Sequence, residues 1–281
     1  MDRQTFLAAS IAALAAPPAG DLRLGALERR AGGRLGVFAL DTGDGRTVEY
    51  RAHERFPMCS TFKLLLVAAV LRRVDERNED LVRRVAIADA DILAYAPVTK
   101  AHLAHGSMTI AELCAAAIEW SDNTAANLLL HSLLGPAGVT KFARSIGDPL
   151  TRLDRDEPSL NTAIPGDPRD TTSPAAMAAD ARALVLGNAL QPASRARLRA
   201  WLIGCRTGAA RLRAGVPKTW QAGDKTGTGD NATANDVAIF WPPQRAPIVV
   251  AAYFTGSKAG PDARDAVLAN VARIVREALS R

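Results

Sequence analysis

Ser60 and Lys63 are the first residues whose types and spacing suggest chemistry. They stand three positions apart in Ser60-Thr61-Phe62-Lys63, and an apolar run over 62–70 follows. That run predicts a buried helix, so the serine lies at a helix N-terminus, where free N–H groups favour developing negative charge. A lysine one turn on shares its face and can activate a serine nucleophile. The same residues would also fit a capping serine beside an unrelated lysine.

Ser121-Asp122-Asn123 forms a second polar group, directly after the helical run over 113–120. A serine there can relay a proton to a leaving nitrogen, and the Asn123 side chain can bind a substrate amide. A helix-capping turn is the structural alternative for the same tripeptide.

A third group is the segment Asp224–Gly229, which reads Asp-Lys-Thr-Gly-Thr-Gly. Its composition is compatible with a strand edge that a substrate approaches closely, because the glycines leave the backbone open. Lys225, Thr226 and Thr228 would then supply an anion-binding edge. A Gly-rich turn is the alternative, and the phosphate-binding pattern GxxxxGK[ST] is absent.

The surrounding pattern indicates how these groups are brought together. Both ends of the chain contain strand-like runs, and the middle, 61–203, is rich in alanine and leucine at helical spacing. The irregular stretch 152–172 interrupts the helical middle, and long loops of this kind are usually functional. The predicted strands cover 35–41, 47–50, 236–241 and 248–254, and an amphipathic helix covers 262–279.

We therefore predict an α/β plus all-α fold, in which an antiparallel sheet built from both ends of the chain is flanked by helices. Residues 21–52 and 204–281 would form the α/β domain. Residues 53–203, including the loop 152–172, would form an inserted helical domain. A cleft is expected at the junction, where small-molecule sites tend to lie.

The order Ser-x-x-Lys, Ser-Asp-Asn, Lys-Thr-Gly resembles the superfamily of serine β-lactamases and penicillin-binding proteins. The segment Glu157-Pro158-Ser159-Leu160-Asn161 resembles the Ω-loop of the class A β-lactamases. That resemblance implies that Glu157 and Asn161 hold the water that releases an acyl-enzyme, and that Asp170 closes the loop by pairing with Arg155. A carboxylate suits this task because it can take a proton from water.

The same resemblance implies the rest of a binding site. Tyr95 would form an aromatic wall, and the Ser60 and Thr228 N–H groups would form an oxyanion hole. Ala234 occupies the usual place of an arginine, so Arg211 is the candidate for that charge. In some relatives a cysteine at the position of Cys59 pairs with a second cysteine near the Lys-Thr-Gly segment. That second position is Gly229 here, so a disulfide is not expected. The full substrate-binding set is Tyr95, Asn123, Arg211, Lys225, Thr226, Gly227 and Thr228.

The resulting hypothesis is a class A serine β-lactamase that acylates Ser60 and needs no metal or other cofactor. Lys63, or Glu157 through a water, would be the acylation base, and Ser121 would protonate the leaving nitrogen. A D,D-peptidase or a β-lactam sensor shares the three motifs but lacks the loop glutamate. A serine esterase would be expected to carry GxSxG, which Ser60 lacks.

Composition and charge limit the classes of partner that this protein is expected to bind. The net charge is +6, but aromatics make up only 5% of the chain, which argues against nucleic-acid binding. Residues 1–20 combine Arg3, a short apolar run and small residues, as in a signal peptide. We therefore expect a periplasmic or secreted monomer that is free of the membrane after signal removal. Three cysteines without a CxxC pair, and the isolated pair His102 and His105, do not suggest a metal site.

Overall fold

The computed structural model describes residues 19–280. Most of the predicted signal peptide, residues 1–18, lies outside the described residues. Ala19 and Gly20 already belong to the first helix, which the sequence patterns did not predict. The α-helices are α1 Ala19–Ala31, α2 Phe62–Asp75, α3 Ile110–Glu119, α4 Asn123–Ser132, α5 Pro136–Ser145, α6 Pro174–Val185, α7 Pro192–Ile203 and α8 Pro261–Leu279.

The main sheet has five strands in the order β2-β1-β9-β8-β7, and all its pairings are antiparallel. Both ends of the chain supply it, as predicted. Two-stranded pairs β3–β6 and β4–β5 lie outside it. The strands are β1 Arg34–Asp41, β2 Thr47–Tyr50, β3 Phe56–Pro57, β4 Arg84–Ala86, β5 Ser107–Thr109, β6 Thr171–Thr172, β7 Gln221–Gly229, β8 Thr233–Trp241 and β9 Ile248–Thr255.

Strand β9 is buried on both faces, and its alternating side chains divide the core in two. Val249, Ala251 and Tyr253 pack with the helices of the central part of the chain. Val250 and Phe254 pack on the other face with α1 and α8. This two-residue period is the geometry of a strand covered on both sides. The sheet is thus a rigid layer between two groups of helices.

Two features place functional segments at the β7 edge of this sheet. Strand β7 is the outermost strand, so its outer edge carries backbone groups without a strand partner. The turn Cys59–Thr61, a short 3-10 helix that leads into α2, packs against β7. Ser60 lies in this turn, two residues before the first residue of α2, and is therefore at the N-terminus of the helix as expected. The division into domains at residues 53 and 204 stays a prediction.

Candidate active site

Ser60 lies at the base of a cleft of about 380 Å³. Its side chain is largely buried, and the hydroxyl donates a hydrogen bond to Glu157 Oε1 at 3.3 Å. Cys59, just before it, has a φ of +46°, and Thr61 Oγ1 bonds back to Met58 O at 2.8 Å. This tight turn presents the Ser60 hydroxyl to the loop that carries the glutamate.

Lys63 is completely buried and is surrounded by oxygen atoms. Its Nζ donates to Ser121 O at 2.7 Å and to Asn123 Oδ1 at 2.6 Å, and it lies 2.9 Å from Glu157 Oε1. Burial lowers the pKa of this lysine, whereas the Glu157 carboxylate opposes that shift by favouring the ammonium form. The three acceptors match the three N–H donors of an ammonium group.

Glu157 is held at both its side chain and its backbone. Asn161 Nδ2 donates to Glu157 Oε2 at 2.5 Å. The Glu157 N–H donates to Asn127 Oδ1 at 3.0 Å, and Asn127 Nδ2 donates to Glu157 O at 2.8 Å. The peptide between Glu157 and Pro158 is cis. The glutamate is therefore fixed from helix α4 as well as from its own loop.

The loop itself is closed at its base by a buried carboxylate. Arg155 Nε donates to Asp170 Oδ2 at 2.6 Å, and the Asp154 and Arg155 N–H groups both donate to Asp170 Oδ1. The Met58 N–H donates to Asp170 O at 2.9 Å. The predicted pair of Arg155 and Asp170 thus ties the loop to the segment just before Ser60.

Ser121 and Lys225 meet on the other side of the cleft. Lys225 Nζ donates to Ser121 Oγ at 2.9 Å and to Thr226 O at 2.8 Å. Burial lowers the pKa of Lys225 to about 7, so this lysine can exchange a proton near neutral pH. Asp122 points away from the cleft: its carboxylate accepts bonds from the Val98, Thr99 and Ala125 N–H groups and therefore has a structural role.

Arg211 lies beside β7 with most of its guanidinium engaged. Nη2 donates to Thr228 Oγ1 at 2.7 Å, Nη1 donates to Gly227 O and Asn235 O, and Nε pairs with Asp265 at 2.8 Å. The positive charge is held immediately behind the outer hydroxyl of β7. The Thr228 hydroxyl therefore lies between the Arg211 guanidinium and any anion bound in the cleft.

The structure brings the predicted residues around one cleft. Two contributors were missed: Asn127, which holds Glu157, and Thr207, whose hydroxyl lies 2.5 Å from that of Thr226. The four-residue spacing of Asn123 and Asn127 on one helix face was an available signal for the first; no pattern pointed to the second. The cleft is lined by Ser60, Tyr95, Ser121, Asn123, Asn161, Thr207, Arg211, Thr226 and Thr228.

Glycines at the cleft edge explain how closely these segments approach. A Cβ on Gly229 would lie 2.6 Å from both Asn161 O and Cys59 Sγ, and one on Gly227 would lie 2.7 Å from Met58 O. Cys59 is a free, buried thiol whose pKa is raised by burial. Gly229 therefore acts as the contact point between β7, the loop and the turn that carries Ser60.

Comparison with known proteins identifies the family. The model of the β-lactamase enzyme family matches residues 22–279. β-Lactamase CTX-M-8 of Citrobacter amalonaticus is 52% identical over 255 residues, which cover 91% of this chain and 87% of that protein. β-Lactamase OXY-2 of Klebsiella oxytoca is 50% identical over 274 residues, which cover 98% and 94%. An ancestral class A β-lactamase of known structure is 60% identical, with a TM-score of 0.91 and coverage of 92% and 100%.

The chain belongs to the class A β-lactamases. The predicted family, the mixed α/β fold and the assignment as a serine hydrolase of β-lactams are thereby confirmed. The roles of individual residues in this class A enzyme stay predictions.

Between residues 19 and 280, no three or more His, Cys, Asp or Glu side chains cluster in a way that could hold a metal ion. His102 and His105 lie near each other, with ring centroids 5.8 Å apart. None of the helices described is both long and apolar enough to span a bilayer.

Proposed function

We propose that this enzyme opens β-lactam rings through an acyl-enzyme on Ser60 and releases the product with water activated by Glu157. The observation that carries this proposal is the position of one carboxylate oxygen. Glu157 Oε1 lies 3.3 Å from Ser60 Oγ and 2.9 Å from Lys63 Nζ. A base in contact with the nucleophile, oriented by a third group, is the arrangement that nucleophilic catalysis requires.

For acylation, the contacts favour Glu157 over Lys63 as the base. The Ser60 hydroxyl donates to Glu157, whereas the Lys63 ammonium faces three acceptors, which favour its protonated form. As Ser60 Oγ bonds to the lactam carbonyl carbon, its proton passes to Glu157. The C–N bond then breaks, and Ser121 Oγ gives its proton to the nitrogen. Lys225 resupplies Ser121 and regains a proton from solvent, and Glu157 releases its proton to solvent before the second step.

For deacylation, Glu157 and Asn161 hold the attacking water. Asn161 Oδ1 is buried and has no hydrogen-bond partner among the described residues, while its Nδ2 fixes the glutamate. That oxygen is free to accept a bond from a water molecule next to the Glu157 carboxylate. The glutamate takes one proton from the water as it attacks the ester, and that proton then goes to Ser60 Oγ.

Substrate binding uses both walls of the cleft. The exposed ring of Tyr95 forms one side, Asn123 Nδ2 can donate to the substrate amide, and Lys225 and Arg211 attract its carboxylate. The β7 segment 226–228 contacts it as an edge strand. The N–H groups of Ser60 and Thr228 would stabilise the oxyanion, and loss of one such donor typically costs about 10²–10³ in rate.

We also propose that the enzyme acts as an exported monomer without a metal or organic cofactor.

The test is turnover of a chromogenic cephalosporin, followed by mass spectrometry of Glu157→Gln. The wild type should hydrolyse many equivalents. The variant should acylate more slowly, with Lys63 as the remaining base, yet an adduct should accumulate on Ser60 because deacylation then has no base. The exposed neighbour Asp156→Asn should behave like the wild type. A single stoichiometric burst from the wild type would instead support a sensor or a D,D-peptidase. Deacylation of Glu157→Gln at the normal rate would contradict the role given to Glu157.

A further inference from the structure

A second and larger cavity lies on the far side of the Ω-loop from the catalytic residues. We call it the rear cavity; its volume is about 760 Å³. One wall is the loop itself, with Arg155, Leu160 and residues 163–169. The other wall is the end of the sheet, at residues 33–34 and 255–256. The rear cavity shares no lining residue with the catalytic cleft, and its size suits a small organic molecule.

Arginines dominate the charged lining of the rear cavity. Arg34, Arg55, Arg155 and Arg169 line it, against one carboxylate, Asp167. Arg169 pairs with Asp167 at 2.7 Å, Arg155 pairs with Asp170, and Arg34 lies 3.7 Å from Glu54. Three of the four guanidinium groups therefore already face a carboxylate.

Arg55 differs from the other three in its partners. Its guanidinium donates to Leu150 O at 3.1 Å and to Thr171 Oγ1 at 2.9 Å, and both acceptors are neutral. The Arg34 guanidinium is close by, because it donates to the backbone oxygen of Arg55 and stacks 3.8 Å from the centre of the Phe56 ring. A planar guanidinium with neutral partners is suited to receive a carboxylate.

The remaining lining is mainly aliphatic. Pro57, Leu160, Ile164 and Pro165 line the rear cavity, and the Ile164 side chain is 52% exposed although it is large and apolar. We propose that the rear cavity is a binding site for a small amphiphilic carboxylate. The anionic group would pair with Arg55, and the apolar chain would lie along the exposed Ile164 and Pro165.

Such a ligand would contact the loop that carries the deacylating residues. Leu160 is adjacent to Asn161, and Arg155 holds the base of the loop through Asp170. A ligand that bridges the loop and the sheet binds only the folded arrangement, so it raises the melting temperature by mass action. The rear cavity is thus a site from which a small acid can stabilise the Ω-loop without entering the catalytic cleft.

The experiment is calorimetric titration of the full enzyme with octanoate, with acetate and 1-octanol as probes of the charge and the chain alone. Octanoate should bind and raise the melting temperature. Acetate and 1-octanol should each bind with an affinity about tenfold lower or weaker still, since each lacks one class of contact. Equal binding of acetate, or no binding of octanoate, would overturn the proposal.

Variants locate the binding site. Ile164→Glu and Ile164→Gln place side chains of equal length on the cavity wall and differ only in charge. The glutamate variant should bind octanoate about tenfold more weakly than the glutamine variant, because its carboxylate competes for the same arginine. Arg55→Gln should weaken binding, whereas Arg30→Gln on α1 should not. Equal affinities for the two Ile164 variants would place octanoate elsewhere and refute the site.

Discussion

Lys225 Nζ lies 2.9 Å from Ser121 Oγ, although 104 positions separate the two residues in the chain. The contact joins edge strand β7 to the turn before α4. The lysine is fully buried, and burial lowers its pKa to about 7. A proton shared between these groups is therefore available at neutral pH and is lost from the lysine as the pH rises.

This contact predicts the alkaline limb of the pH profile. Above pH 7 the Lys225 ammonium deprotonates, so it can neither resupply Ser121 nor attract a substrate carboxylate. We expect kcat/KM to fall with rising pH through a midpoint near 7. Lys225→Arg should remove this limb, because arginine stays charged. It should also lower the maximum about tenfold or more, because arginine fits poorly and cannot give up a proton to Ser121. Stopped-flow pH profiles test this, with exposed Lys218→Arg as control; an unmoved limb in Lys225→Arg would assign it to another group.

Asn127 should matter for deacylation although it lies outside the cleft lining. Asn127→Ala removes both hydrogen bonds to the Glu157 backbone, at a cost of roughly 2 kcal/mol in unfolding free energy. We expect kcat to fall by about tenfold or more, with acyl-enzyme accumulating, since the base is no longer fixed. Asn127→Asp keeps the acceptor and should be intermediate. Burst kinetics separates the steps: the steady phase should lose more than the burst, because Lys63 can replace Glu157 in acylation but not in deacylation. Unchanged rates in both phases would contradict the role given to Asn127.

Arg211 should contribute mainly to substrate affinity. Arg211→Ala removes the charge behind Thr228, so KM for β-lactams should rise by about tenfold, with a smaller loss in kcat. Asp265 positions the guanidinium through Nε, and Asp265→Asn should therefore raise KM in the same direction by less. Steady-state kinetics with melting curves are the measurement. A fall in melting temperature with KM unchanged would show that Arg211 only supports the sheet edge.

A buried acid on α6 that does not line the catalytic cleft predicts how stability depends on pH. Asp180 on α6 is 2% exposed, and burial, together with the neighbouring Asp148, raises its pKa to about 9 from 3.8. The folded state therefore holds a proton that the unfolded chain releases above about pH 4. The contribution of this proton to the free energy of unfolding is fully present below pH 4. It falls by roughly 1.4 kcal/mol per pH unit between pH 4 and about pH 9.

Replacement of this acid should flatten that dependence. Asp180→Asn carries no titrating group, so its unfolding free energy should exceed that of the wild type increasingly from pH 5 to pH 9. Urea denaturation at several pH values provides the comparison, and exposed Asp156→Asn is the matched control. Parallel curves for the wild type and Asp180→Asn would mean that Asp180 is ionised in the folded protein.

Local spacing accounts for the parts of the site that could be predicted from sequence. Ser60 and Lys63 are three residues apart, and both contact Glu157 Oε1. Asn161 lies four residues after Glu157 and contacts its other carboxylate oxygen. Alternating apolar residues likewise indicated strands close to β1, β8 and β9. Strand β8 begins at Thr233, earlier than predicted, because its small polar residues pair with β7 without an apolar pattern.

Contacts between distant segments account for what could not be predicted. Asn127 binds the backbone of a residue 30 positions away, and its spacing from Asn123 indicates its helix face but not this partner. Thr207 contacts Thr226, and no local pattern indicates that contact. Helix α1 mixes charged residues with the buried Leu24 and Leu27, and its packing against α8 decides its position. The direct contact of Ser60 with Glu157, where a water bridge was expected, likewise depends on how the loop packs on the Cys59–Thr61 turn.

The pairing of β1 with β9 has a consequence for the order in which the enzyme can be made. Arg34 pairs with Thr255 and Asp41 with Ile248, so one flank of the first strand stays open until residues 248–255 have left the ribosome. Contacts of such wide sequence separation form slowly, and an incomplete chain exposes an unpaired strand edge. Translation halted before residue 248 would therefore yield a product without the central strand β9. The active enzyme can form only after that strand has been made.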